Sequence, residues 1–339
     1  MIREAIAALA EGKQLGREQA RATMLEIMSG EATPAQVAAY ITALRIRGET
    51  AEIIAGSAEA MRRKFTAVEA GAPVVADIVG TGGDGAHTFN ISTCSAFVAA
   101  GAGVVVAKHG NRSVSSQCGS ADVLAALGVN LEIGPDVMAR ALREIGVAFL
   151  FAPALHPAMK HAIGPRREIG IRTIFNILGP ISNPAGAQYG LVGVYAAALV
   201  PVIAEALAAL GAQHMFVVHG LDGLDEITTT TGTLVAEVKH GHVRQYELHP
   251  RDVGLATATT ADLFGGEPAA NAELIRGLLA GQRGPKRDIV LLNAAAAIFA
   301  AGQARDLKDA VSVAATSIDS GAARQKLEAL AKLTAAAKV

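Results

Sequence analysis

The chain has 339 residues, with 30 Lys and Arg against 31 Asp and Glu, a net charge of −1 with His neutral. That balance argues against nucleic acid as a partner, which usually shows as a basic surplus, and an aromatic content of 4% leaves little for base stacking. The two cysteines, Cys94 and Cys118, have neither disulfide-framework nor zinc-site spacing and read as small buried thiols.

The first part, to about residue 68, reads as helix only. Thr33 before Pro34 and Thr50 before Ala51-Glu52-Ile53-Ile54 sit where N-caps belong, and Val37, Tyr40, Ile41 and Leu44 recur at helical spacing. The leading segment MIREAIAALAEGKQLG has no long apolar run, so no secretory signal is expected. From Pro73 short apolar runs alternate with helical patterns: VVADIV (74–79), VVVA (104–107), VAFLF (147–151), LVGV (191–194) and MFVVH (215–219). This alternation predicts a mostly parallel sheet covered by helices on both faces. LVAEVKHGHVRQYELHP (234–250) predicts an antiparallel hairpin turning at His240-Gly241, and from about Ala269 the chain is helical again. LLNAAAAIFAAG (291–302) is too short to span a bilayer, so a cytoplasmic protein with no membrane partner is expected.

The expected fold class is α/β: a small all-helical domain (1–70, with a discontinuous piece around 160–188) and a large α/β domain (71–339). In the latter a mostly parallel central sheet is flanked by helices. The returning piece is HPAMKHAIGPRREIGIRTIFNILGPISNPAG (156–186), which interrupts the α/β rhythm with prolines and basic residues. A ligand is expected in the cleft between the domains.

Three stretches carry chemistry. DIVGTGGDGAHTFNIST (77–93) formally contains G-x-G-x-x-G at Gly80, Gly82 and Gly85, yet no acidic residue follows the next strand to hold a ribose hydroxyl, and no P-loop pattern occurs. What remains is a strand-to-loop element that bares backbone N–H groups, with a helix starting near Ser92 or Thr93 whose N-terminus favours an anion. Asn90, Ser92 and Thr93 are placed to bond phosphate oxygens or a metal; ordinary turn and capping roles are the alternative. KHGNRSVSSQCGS (108–120) follows the next strand, with Lys108 and Arg112 as phosphate partners and Ser115, Ser116 and Ser120 as donors. Parallel strands deliver both loops to one sheet edge, which implies a ligand with separated phosphates. HGLDGLDEITTTTG (219–232) offers Asp225 and Glu226 for a magnesium shell, or as a capping pair. Its DEITTTTG resembles the phosphate loop of type I phosphoribosyltransferases, but the intervening Gly-Leu-Asp-Gly-Leu argues against that reading. In the basic crossover, His156 and His161 are candidate bases or structural histidines, Lys160 and Arg167 are expected in solvent, and one arginine is expected to meet a carboxylate.

Taken together, DIVGTGGDG…FNIST, KHGNRSVSSQCGSADVLAALG, HPAMKHAIGPRREIGIRTIFNILGPISNP and GLDEIT closely resemble the anthranilate phosphoribosyltransferase family, over the chain to roughly residue 330. The resemblance implies transfer of the phosphoribosyl group of 5-phosphoribosyl 1-diphosphate to anthranilate in tryptophan biosynthesis, and a homodimer formed through the helical domains. It implies that Gly80, Gly83, Asp84, Thr88, Asn90, Ile91, Ser92 and Thr93 hold the donor, while Lys108, His109, Gly110, Asn111, Arg112, Ser113, Val114, Ser115, Ser116 and Ser120 close over it. Two Mg²⁺ ions per site are implied, one on Ser92 and one on Asp225 and Glu226. Gly80, Asn111 and Arg166 would contact anthranilate, with His109 near it; no obligatory acid or base is implied, and Lys108, His109 and Arg166 are positioning candidates. Gly164-Pro165-Arg166 stands where the family often has Pro-Val-Arg, so a loop of different shape entering Arg166 is expected. The rivals are a nucleoside phosphorylase of the same fold, which needs no magnesium pair, and a nucleic-acid-binding relative, which would carry a basic surplus.

Overall fold

The computed structural model describes residues 1–112 and 117–337. Four helices lead: α1 (Ile2–Ala10), α2 (Arg17–Met28), α3 (Pro34–Arg47) and α4 (Ala51–Arg62). Both expected caps form. Thr33 Oγ1 accepts from Gln36 N at 3.3 Å while Gln36 Oε1 accepts from Thr33 N at 2.8 Å, and Thr50 Oγ1 accepts from Ile53 N at 3.3 Å.

The α/β part then runs β1 (Ala76–Gly80), α5 (Ile91–Gly101), β2 (Val106–Gly110), α6 (Ser120–Ala126), α7 (Pro135–Glu144) and β3 (Val147–Phe151). The crossover carries α8 (Ala152–Leu155), α9 (Lys160–Ile169) and α10 (Ile174–Leu178). It leads into β4 (Tyr189–Gly193), α11 (Leu199–Ala209), β5 (His214–Gly220), β6 (Thr233–Lys239) and β7 (His242–Leu248). Four helices close the chain: α12 (Pro268–Leu279), α13 (Pro285–Ala300), α14 (Leu307–Asp319) and α15 (Ala322–Ala335). The hairpin turns where expected, with His240 and Gly241 both at positive φ, the backbone a tight primed turn demands.

The sheet order is β3-β2-β1-β4-β5-β6-β7, with the first five strands parallel and β6 and β7 antiparallel. The chain builds outward from β1 through β2 to β3, then crosses back to start β4 on the other side of β1. The carboxyl ends of β1 and β4 therefore flank a topological switch point, where ligands of such sheets bind.

Strand side chains alternate between two cores. Ile78, Leu191, Phe216 and Val218 face the layer built on α5 and α13, while Val79, Val192, Met215 and Val217 face α11 and the helical layer beyond it. α11 packs on β5 and β6 with α4 against it; α9 rests on α3 and α2, and α10 on α4 and α3. The crossover thus leaves the sheet, joins the leading helices, and returns. α13, which holds the Ala-rich run, is almost wholly buried, and among the described residues no helix is long and apolar enough to cross a membrane.

Candidate active site

Gly80 ends β1 and Gly193 ends β4, and between them lies Asp225. A β-carbon on Gly193 would fall 1.6 Å from the Asp225 carbonyl oxygen, and one on Gly80 2.3 Å from its Oδ2. Only glycine at both strand ends lets the acidic segment reach the switch point. The segment is held from behind by Asn293 of α13, fully buried, whose Nδ2 donates to Ile227 O at 2.8 Å and whose Oδ1 accepts from Ile227 N at 2.9 Å.

From there the two carboxylates diverge to different partners. Asp225 Oδ2 accepts from Gly82 N at 2.6 Å, fastening the glycine loop. Glu226 Oε1 accepts from Ser92 N at 3.2 Å, in the first turn of α5, where the helix dipole favours negative charge. The loop between is left-handed at Gly82, Gly83, Gly85 and His87. α5 begins at Ile91 with Asn90 at the cap position, slightly earlier than the sequence suggested.

Lys108, at 4% exposure, rises from β2 into this cluster and donates to Ile78 O at 2.7 Å and to Ser92 Oγ at 3.1 Å. Burial lowers its pKa, and the nearby Asp77, Glu226 and Asp225 oppose that. Burial raises Asp225, with the Asp84 carboxylate adding to the shift; burial likewise raises Glu226, with Asp225 adding. Beneath them Asp77, 1% exposed, accepts from His109 N at 3.1 Å and Asn183 Nδ2 at 2.7 Å, and burial raises it to about 6. Three buried carboxylates against one buried ammonium leave an excess of negative charge, the environment of a hard cation. Among the described residues no three His, Cys, Asp or Glu side chains are grouped to hold a metal alone. A Mg²⁺ ion here would complete its shell with water and phosphate oxygens, which is its habit.

His109 forms a second buried group. Its Nδ1 lies 3.2 Å from Gly179 O and its Nε2 3.1 Å from His156 Nε2. Donation from Nδ1 to that carbonyl makes His109 Nε2 the acceptor of the His156 proton. Burial lowers His109 to about 3, with His156 adding, and burial alone lowers His156 to about 4, so both rings are neutral.

With this geometry in place, residues 72–324 match the family model described as the glycosyl transferase family a/b domain, and residues 3–65 the helical bundle domain of the same family. The protein from Anaeromyxobacter dehalogenans (strain 2CP-C) named anthranilate phosphoribosyltransferase is 57% identical over 98% of this chain and 99% of its own length. The chain belongs to the anthranilate phosphoribosyltransferase family. It is accordingly an enzyme of the glycosyltransferase class. The crystal structure of the Thermus thermophilus member superposes with a TM-score of 0.93 at 44% identity, covering 98% of this chain and 99% of that one. The Saccharomyces cerevisiae member in complex with PRPP and Mg gives 0.90 at 29%, covering 99% and 98%; its complex with 4-fluoroanthranilate gives 0.88 at 28% with the same coverage.

The remaining residues implied by the family resemblance are placed less centrally. Asn90 turns aside: its Nδ2 donates to Cys118 O at 3.0 Å, and its Oδ1 accepts from Asn271 Nδ2 at 3.1 Å. Thr88 pairs through its backbone with Phe264, Ile91 is buried, and Thr93 Oγ1 is buried with no hydrogen-bond partner among the described residues. Gly110 ends β2; Asn111 is exposed, its carbonyl accepting from Ser120 Oγ at 3.1 Å. Arg112 pairs with Asp122 of α6 at 3.0 Å and lies over the ring of Phe151 at the end of β3. Ser113, Val114, Ser115 and Ser116 lie outside the described residues.

One expectation is corrected. Arg166 is reached by helix rather than loop: Gly164, Pro165 and Arg166 all lie inside α9, because the turns around Pro165 pack on α2 and α3. Its guanidinium sits 5.2 Å from the Phe175 ring centroid, burial lowers its pKa, and among the described residues it meets no carboxylate. Of the two alternatives for His161 the packing fits the structural one: its ring lies on Gly30, where an added β-carbon would fall 2.5 Å from Cε1. Sequence reasoning missed Asp77, Asn183 and Asn293; a lone polar residue inside an apolar strand or helix was the available signal for Asp77 and Asn293.

Proposed function

We propose that this enzyme transfers the 5-phosphoribosyl group of PRPP to the amine of anthranilate, giving N-(5-phosphoribosyl)anthranilate and diphosphate in tryptophan biosynthesis. The observation that carries the reading is the single acidic pair bound to both the glycine loop and the α5 N-terminus at the sheet's switch point. The complexes of the Saccharomyces cerevisiae member, one with PRPP and Mg and one with 4-fluoroanthranilate, support it.

Two Mg²⁺ ions are proposed per site, one at Ser92 and one at Asp225 and Glu226. Bound there, Mg²⁺ supplies positive charge that offsets the charge gathering on the departing diphosphate. The N–H groups of Gly83 and Asp84 in the loop and of Thr93 in the first turn of α5 bind phosphate oxygens, those of Thr81, Gly82 and Ser92 being taken by Gly193 O, Asp225 and Glu226, and Lys108 adds a fixed cation. Arg166, half-buried and without a carboxylate partner among the described residues, receives the carboxylate of anthranilate in a two-point contact. His109 and His156, neutral and bonded to each other, orient the acceptor side without a proton to give at neutral pH. An aromatic amine is already neutral and nucleophilic, so positioning it at the anomeric carbon accounts for much of the rate. Cleavage proceeds with oxocarbenium character and no obligatory base. The helical domain is assigned to residues 1–70 with the return at 160–188, the catalytic domain to 71–339, and a cytoplasmic homodimer is assigned through the helical domain, a state that sedimentation measures directly.

The decisive experiment mixes protein, Mg²⁺, PRPP and anthranilate and follows anthranilate fluorescence. Loss of signal requiring both donor and metal is expected. A flat trace from folded protein refutes the reading.

A further inference from the structure

The glycine loop 81–87 is fastened at its start, where Gly82 N donates to Asp225, and at its end, where Gly265 N donates to His87 O at 3.0 Å. Between these ends the Gly83 carbonyl is held from the crossover. Arg172 stands on the short link between α9 and α10, and its Nη2 donates to Gly83 O. The flat guanidinium lies 4.3 Å from the ring centroid of Tyr195, just past β4. Tyr195 is itself tied to the loop, since its N donates to Thr81 Oγ1 at 3.0 Å. A ring under a planar cation restricts where the guanidinium can point, and here it points at the loop.

We propose that Arg172 is a positioning residue that clamps the glycine loop in its donor-binding shape and ties it to the helix that carries Arg166. Without the clamp, the peptide at Gly83 is free to turn, because the left-handed glycines around it resist little rotation. The N–H groups that meet the diphosphate then have to be ordered by the donor itself, at the expense of its affinity. Because α9 and Arg172 share one segment, a shift of α9 on the acceptor side is transmitted to the donor loop. The inference rests on the transferase reading for its kinetic consequence, but its structural consequence holds in the ligand-free protein.

Two readouts separate the clamp from that reading. In ligand-free protein, amide hydrogen exchange of the peptide 81–89 is expected to be about tenfold faster in Arg172→Met than in the parent chain, with exchange of β1 and α5 unchanged. In turnover, Arg172→Met is expected to raise the apparent KM for PRPP about tenfold, the scale of one charged hydrogen bond with a stacking contact, while kcat and the KM for anthranilate change less than about threefold. Arg172→Lys is expected to recover part of the loss, since it restores the charge without the planar stack. Where Arg172→Met fails to fold, Tyr195→Leu removes the stacking ring and is expected to give the same PRPP-selective effect. Unchanged exchange in 81–89 overturns the clamp whatever the enzyme's activity. Equal rises in both KM values overturn it too, as they mark general disorder of the crossover. An inactive parent chain with faster exchange in the variant refutes the transferase reading and leaves the clamp standing.

Discussion

Replacing Lys108 by Met tests the buried charge cluster directly. The ammonium donates to Ile78 O at 2.7 Å and Ser92 Oγ at 3.1 Å and offsets Asp77, Asp225 and Glu226, which are exposed by 1%, 8% and 9%. Removing one partner from a buried ionic group leaves uncompensated charge, at about 3–5 kcal/mol, and Met fills much of the lost volume, so little of the cost is cavity. The pH dependence has a definite sign. These carboxyls are held above their ordinary value near 4, Asp77 at about 6 and the acidic pair also raised. Folded protein therefore binds more protons than unfolded chain from about pH 4 up through the raised values, and stability falls as pH climbs through that window, by up to roughly 1.4 kcal/mol per unit for each group. Loss of the lysine raises the three further, so the cost of the substitution grows with pH. Urea denaturation of metal-free protein is expected to give a loss of about 4 kcal/mol at pH 8 that shrinks by about 1 kcal/mol or more at pH 6. A loss below about 1 kcal/mol, or one identical at both pH values, refutes the reasoning.

Three further outcomes are expected. Asp225→Asn with Glu226→Gln should lower turnover at least about 100-fold while leaving the thermal midpoint unchanged or raised, because two buried charges are removed; full turnover at limiting Mg²⁺ would exclude the metal role. Arg166→Ala should raise the apparent KM for anthranilate by roughly 10- to 100-fold and that for PRPP far less, since a charged hydrogen bond contributes about 1.5–3 kcal/mol; steady-state kinetics with each substrate varied separates the two. His109 and His156, held at about 3 and about 4, bind fewer protons folded than unfolded, so below the ordinary imidazole value near 6.5 stability should fall by up to roughly 1.4 kcal/mol per pH unit for each ring. A His156→Asn protein should show a shallower acid slope, and an unchanged slope between pH 6.5 and 5 would place the acid sensitivity elsewhere.

Much of the site could be read from the chain because its parts are local. Gly80 to Thr93 and Lys108 to Ser120 each begin at the carboxyl end of a strand, and parallel pairing brings strand ends together whatever the side chains do. Partner choice is where reading along the chain stopped. Arg112 and Arg166 look alike in sequence and each meets an aromatic ring, yet among the described residues only Arg112 has a carboxylate partner, Asp122. His161 and His156 differ just as little, yet one packs on Gly30 and the other shares a proton with His109. Arg172 gave no local signal at all, because its contact lies 89 residues away at Gly83.

By itself the sequence determined the elements: threonine caps, strands spelled by apolar runs, a primed hairpin turn and a loop turned mostly by glycines. These follow from backbone sterics and burial period, which act over a few neighbouring residues. Only the tertiary structure decided which charges are buried together, as when Asp225 meets Gly82 across 143 residues and Asn293 fixes the chain beside Glu226. Desolvation and hydrogen-bond pairing depend on what surrounds a group in space, and no spacing along the chain encodes that.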